Sequence, residues 1–267
     1  MEQVSTKHNS LPPRLESPSI FAWVIAIVVL AFFVNGVNEA NITADRLGNG
    51  FFNLGTFIGE AFPPKLDRVD VIAKAMLETF QMAIVGVVFG VILSLPMALL
   101  CARNTTPHPL VRMVCVNIVS TFRTIPDLVW ALVFVIAVGL GPLAGILAIV
   151  MDTIGFCARF FSERIEEIDP GPSHALNAIG AKQSGVIMGA VVPECLPSFV
   201  ATSLYSVEKA VRSAVVLGLV GAGGIGVELS ASMNLFRYDQ ALTVILSILV
   251  VVIGVERVSA MIRKKIL

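Results

Sequence analysis

Glu208, Lys209 and Arg212 lie within five consecutive residues of a stretch that is otherwise apolar from about Ser198 onward. A charge at membrane depth costs roughly 2.5–3.5 kcal/mol for Arg or Asp even on a lenient insertion scale, so each needs a partner or a watery path. Glu208 and Arg212 are four residues apart with the acid N-terminal, the favourable order on a helix surface. Arg123 and Asp127 have the same spacing in the reverse order, and Asp152 reads as a buried hydrogen-bonding group. Two readings stay open. These are structural ion pairs inside a bundle, or Arg212 or Arg123 faces a water-filled route and attracts an anion, since a guanidinium holds oxyanions in bidentate geometry. In the second case Glu208 orients the Arg212 guanidinium.

Other chemistries find little support. GAGGIG at 221–226, with Gly221, Gly223, Gly224 and Gly226, matches a dinucleotide-binding fingerprint but lacks the alternating strands and helices that motif needs. A glycine cluster that lets helices approach closely, or lets the backbone bend beside a cavity, suits its surroundings better. Cys101, Cys115, Cys157 and Cys195 include no C-x-x-C pair, and His8, His108 and His174 are scattered, so neither a metal nor another cofactor is expected. No G-x-x-x-x-G-K-[ST] occurs, so no phosphate cradle for ATP is expected in this chain.

The elements that must hold these residues follow from composition. Apolar residues make up 56% of the 267, with 21 glycines besides, and charged residues only 14%. Soluble domains run near ~45–50% apolar and ~25% charged, so a soluble enzyme, a disordered chain and a nucleic-acid binder are excluded. An all-α integral membrane protein with six spans is expected, a span needing ~20 apolar residues. Uncharged windows run over 17–38 and 79–102, the first giving a helix at 20–37. The stretch 113–160 breaks at Gly139-Leu140-Gly141-Pro142 into a third and a fourth helix. A fifth begins near Ser198, and the sixth covers about 239–255.

Lysines and arginines give the expected orientation. Lys7, Arg14, Arg103, Arg112, Arg159, Arg164, Lys182, Arg257, Arg263, Lys264 and Lys265 make eleven on one side. Arg46, Lys65, Arg68, Lys74 and Arg237 make five on the other. The richer side, with both termini, is expected in the cytoplasm. The chain then divides into a tail at 1–19, the first span, an outer loop at 38–74, a membrane domain at 75–260 and a basic tail at 261–267. Phe51, Phe52, Phe57 and Phe62 suggest that part of the outer loop lies in the headgroup layer. The polar segment 159–197 reads as a helix, a break at Gly180 and a second short helix ending at Pro193. It holds nothing catalytic and has the make-up of a mechanical docking element.

The spacing from His174 and Ala175 through Gly180 to Pro193 resembles the cytoplasmic coupling loop of permeases of binding-protein-dependent ABC importers. In that loop a Glu-Ala-Ala triplet is followed by Gly and, thirteen residues later, by Pro. His174 stands at the usual position of the acid, and Leu176 replaces the second alanine. Arg123-Thr124-Ile125-Pro126 and GAGGIG look like the MetI-like branch. VGLGP at 138–142, DPGP at 169–172, SLYSVEKAVRSA at 203–214 and VGAGGIG at 220–226 look like phosphonate-importer permeases.

This resemblance implies a MetI-like fold and a bacterial inner-membrane subunit that pairs with a second copy of itself. Its partners would be the lipid bilayer, two copies of a separate ATPase and a periplasmic or surface binding protein, with no nucleic acid. The cargo would be phosphonate or a related phosphorus oxyanion, and the chain no enzyme. A permease for methionine or an osmoprotectant is the alternative. A secondary transporter would need inverted repeats, which are not seen, and a membrane-embedded enzyme would need clustered catalytic groups.

Overall fold

The computed structural model describes residues 19–40 and 43–266; the expected N-terminal tail with Lys7, His8 and Arg14, except Ser19, lies outside the described residues. Two compact units divide at Ile58/Gly59.

In the first unit, α1 (Ile20–Glu39) is capped by Ser19, whose hydroxyl accepts from the Phe21 N–H at 3.3 Å. Its 20 residues give about 30 Å, one hydrocarbon thickness, and none of its side chains is buried. The helix α2 (Ala44–Ala61) starts in this unit and is amphipathic: Leu47, Phe51, Leu54 and Ile58 recur at helical spacing and are all exposed.

The second unit is built on α3 (Val69–Cys101) and α6 (Pro142–Glu167). Their contact is set by Gly86 and Gly90, four residues apart on α3. A Cβ at Gly86 would lie 2.6 Å from Ile149 Cγ2, and one at Gly90 would lie 2.5 Å from Thr153 Cβ. Lipid offers no hydrophobic drive for helices to associate, so close backbone approach through small residues supplies the packing. The centre is alanine-rich for the same reason, with Ala83, Ala131, Ala144, Ala148, Ala210 and Ala214 all buried.

The third span is not one helix. Helices α4 (Pro109–Thr124) and α5 (Asp127–Val138) meet at 91°. Pro126 has no N–H and forces Ile125 into an extended conformation (ψ 121°), which ends α4. The expected glycine turn is present, with Gly139 and Gly141 at φ 94° and 132°.

The polar segment departs from expectation beyond Gly180. After α7 (Gly171–Ala178) and the Gly180 break, α8 (Gln183–Val186), a π turn at Ile187–Val191 and α9 (Val192–Leu219) form one rod. The second helix therefore does not end at Pro193, and the fifth span starts well before Ser198. In the π turn the Val192 N–H bonds the Ile187 carbonyl, five residues back, and Pro193 falls in the first turn of α9, where a missing N–H costs little. A short helix not foreseen from sequence, α10 (Ile225–Asn234), precedes α11 (Tyr238–Ile266). The expected tail from 261 is helical through Ile266. Among the described residues, five helices are long and apolar enough to cross a membrane, and the bent α4–α5 pair makes a sixth if counted as one span.

Candidate translocation and coupling sites

A layer of charge sits half-way along α6 and α9. Asp152 lies ten residues after Pro142, and Lys209 ten residues before Leu219. At about 1.5 Å per residue, both are roughly 15 Å from the glycine-turn end. Lys209 Nζ donates to both Asp152 oxygens, at 2.7 and 2.8 Å, and rests 5.2 Å from the Phe156 ring centroid. Asp152 is therefore not a lone buried group but one half of an ion pair between helices.

Glu208, one residue away and 100° round the helix, faces α11 instead. Its side chain is 8% exposed and takes Arg212 Nη1 on one oxygen at 3.5 Å and Arg263 Nη2 on the other at 3.3 Å. The expected Glu208–Arg212 pair is made; Arg263, read from sequence as part of a cytoplasmic tail, is its unforeseen third member. The five groups Asp152, Glu208, Lys209, Arg212 and Arg263 sum to one net positive charge, and Arg212, with 45% of its side chain exposed, is the most open of the three cations.

Arg123 and Asp127 fall on opposite sides of the bend, and no ion pair joins them among the described residues. Asp127 Oδ1 accepts from the Leu128 N–H at 2.9 Å, in the first turn of its own helix. The Arg123 backbone packs on α6 at Gly155, where a Cβ would come within 2.7 Å of the Arg123 nitrogen. That puts exposed Arg123 within about a turn of Asp152 in depth.

The glycine cluster lies at the end of the bundle. Gly221, Gly223 and Gly224 take φ of 85°, 87° and 74°, and Gly226 comes so close to α9 that a Cβ would sit 2.8 Å from Gly218 Cα. The Gly224 N–H donates to Glu78 Oε1 at 3.0 Å and the Ile225 N–H to Thr79 Oγ1 at 2.7 Å, which caps α10. A cavity of about 380 Å³ beside the cluster is bordered by Glu78 and Glu228. Four of the predicted path residues thus serve close packing and helix capping about 16 Å from the charged layer, beside Glu78 and a Glu228 that pairs with Arg68 at 3.3 Å.

At the other end, α7 presents His174 and Ala175 on an exposed surface with Ile179, and Met188 of the π turn is exposed too. Gly180, at φ 82°, has open space where a Cβ would go. His174 borders a cleft of about 340 Å³ that also touches Glu166, Asn104 and Gln183. The root of this segment is clamped, unforeseen from sequence. Glu166 Oε1 accepts from the Arg103 N–H at 2.8 Å and meets Arg112 Nη2 at 3.6 Å, while Asn104 Nδ2 donates to the Ile165 carbonyl at 2.6 Å. These contacts tie the C-terminal end of α6 to the α3–α4 turn.

A bundle of apolar spans with an exposed short helix at one end matches a known family. The model of the binding-protein-dependent transport system inner membrane component fits residues 86–267. The chain belongs to this family. As such an inner membrane component, it is a transport subunit and not an enzyme; ATP hydrolysis belongs to a separate subunit, and a substrate-binding protein completes the system. It is 37% identical over 243 residues to the phosphite transport system permease protein PtxC of Stutzerimonas stutzeri, covering 91% of this chain and 87% of that one. It is 37% identical over 242 residues to the phosphate-import permease protein PhnE of Mycolicibacterium smegmatis, covering 91% of this chain and 44% of that one. A chain of the inward-facing MetNI methionine ABC transporter shares the fold, with a TM-score of 0.67 and 21% identity over 76% of this chain and 99% of that chain.

Proposed function

We propose that this inner membrane component forms the path of an importer for phosphonate or a related phosphorus oxyanion: phosphite, hypophosphite or a phosphate ester. Two copies pair around the path, two copies of the ATPase dock on the 159–197 segment through His174, Ala175 and Gly180, and the binding protein delivers cargo to the opposite face. Both termini lie in the cytoplasm, a reading supported by eleven lysines and arginines against five. Nucleotide-driven movement of α7 rocks the helices so that the path opens to one side and then the other.

One observation supports an anionic cargo above the others: three cations face two carboxylates half-way along α6 and α9. Arg263 already neutralises one oxygen of Glu208, so the half-exposed Arg212 has a guanidinium to offer, and its fork suits a phosphonate-type oxyanion. Arg123 extends the same cationic wall. The methionine alternative has weaker likenesses, 30% identity over 43% of this chain to the methionine import system permease protein MetP of Bacillus subtilis and 25% over 73% to the probable D-methionine transport system permease protein MetI of Vibrio cholerae.

The test is uptake by proteoliposomes holding the chain with its ATPase and binding protein. Wild type takes up phosphite or methylphosphonate, and Arg212→Gln lowers that uptake about tenfold while the ATPase still co-purifies. Uptake of methionine in place of both phosphorus anions would overturn the cargo; undiminished uptake by Arg212→Gln would remove Arg212 from the path.

A further inference from the structure

The Asp152–Lys209 pair is more open than the Glu208 carboxylate. Its side chains are 21% and 35% exposed, against 8% for Glu208. An ion pair open to lipid is expensive, so the face of α6 and α9 that shows it must border water or another protein surface. Nor do the two helices need the pair to adhere. Phe161 packs on Phe199 at 4.3 Å between centroids, Phe156 on Tyr205 at 5.6 Å, and Cys157 Sγ meets Ser206 Oγ at 3.0 Å. The cation is a lysine, a point charge on a flexible stem that can turn from one partner to another, unlike the rigid arginine fork. Its present partner is itself an oxyanion, a carboxylate that accepts two short hydrogen bonds.

We infer that Asp152 stands in for the transported oxyanion at Lys209: the passing anion displaces the carboxylate from the ammonium, and the carboxylate takes the ammonium back as the anion leaves. The inference rests on the importer reading above and adds a specificity-determining pair to it. In the empty path Lys209 is neutralised, so small stray anions meet no free charge there. During passage the competing carboxylate keeps the cargo from lodging on the lysine.

The experiment uses the purified permease–ATPase complex with radiolabelled phosphite as probe, measuring equilibrium binding in detergent and uptake into proteoliposomes with the binding protein present. Asp152→Asn removes the competitor, so bound phosphite rises about tenfold while uptake falls. Lys209→Gln loses both. The double variant Asp152→Asn/Lys209→Gln has no buried charge left unpaired, assembles, and stays inactive. Unchanged phosphite binding by Asp152→Asn overturns the inference, as does its failure to assemble, since an exchangeable pair is not what holds the helices together. Wild-type uptake by the double variant, or by the exchanged pair Asp152→Lys/Lys209→Asp, overturns it too. If wild type itself takes up neither phosphite nor methylphosphonate, the importer reading fails, and that is seen before any variant is compared.

Discussion

Glu208 carries two arginines on one enclosed carboxylate, and this decides how its neighbours tolerate change. Glu208→Gln leaves Arg212 and Arg263 without the carboxylate they share, two like charges with no counter-charge between them. The expected outcome is a clear loss of assembled complex and a lower melting temperature in detergent, read by size-exclusion chromatography and a thermal scan. Arg212→Gln leaves Glu208 with Arg263 and should melt close to wild type. From the sequence, Glu208 orients the Arg212 guanidinium; its contact with Arg263 adds a second arginine to that carboxylate. Spacing reveals only neighbours on one helix, and Arg212 is such a neighbour. Arg263 and Lys209 find their partners 55 and 57 residues away, across helix contacts that no local pattern records.

The helices are held by absent side chains as much as by present ones. Gly86→Val would drive a branched side chain into Ile149, and overpacking of this kind costs about 1–3 kcal/mol, so reduced expression and a lower melting temperature are expected. Gly180 is the opposite case. It has free space around it but a left-handed backbone, and Asp is among the few residues that adopt that conformation locally. Gly180→Asp should therefore fold and reach the membrane, yet fail to retain the ATPase on co-purification, because it puts a charge on the exposed docking surface. Normal co-purification together with normal uptake would refute the docking assignment. Apolar length, glycine turns and the Gly180 break were legible in the sequence because each is a local signal. Pro126 is equally visible, and it separates Arg123 from Asp127, because helical spacing does not carry across a residue that stops a helix. The rod from Gln183 to Leu219 was hidden because Pro193 reads as a terminator, although the helix continues through it.

Across the whole chain, orientation is the property that labelling reads most directly. The native cysteines are all buried, so they give little background to a membrane-impermeant thiol reagent. Thr43→Cys should be labelled on intact cells and Lys265→Cys only after permeabilisation; labelling of both from outside would refute cytoplasmic termini. The π turn at Ile187–Val191 has a different consequence, one of insertion and deletion. A π turn houses one residue more than the α turn it replaces. Removing Gly189 should let the rod close into plain α-helix, with the docking end and the charged end still facing as they do now. Removing Ala201 from α9 has no such slack to draw on and would turn one end about 100° against the other, taking Glu208, Lys209 and Arg212 away from their partners. The chain should thus accept a shortened reading frame at one place on this rod and reject it two or three turns further on.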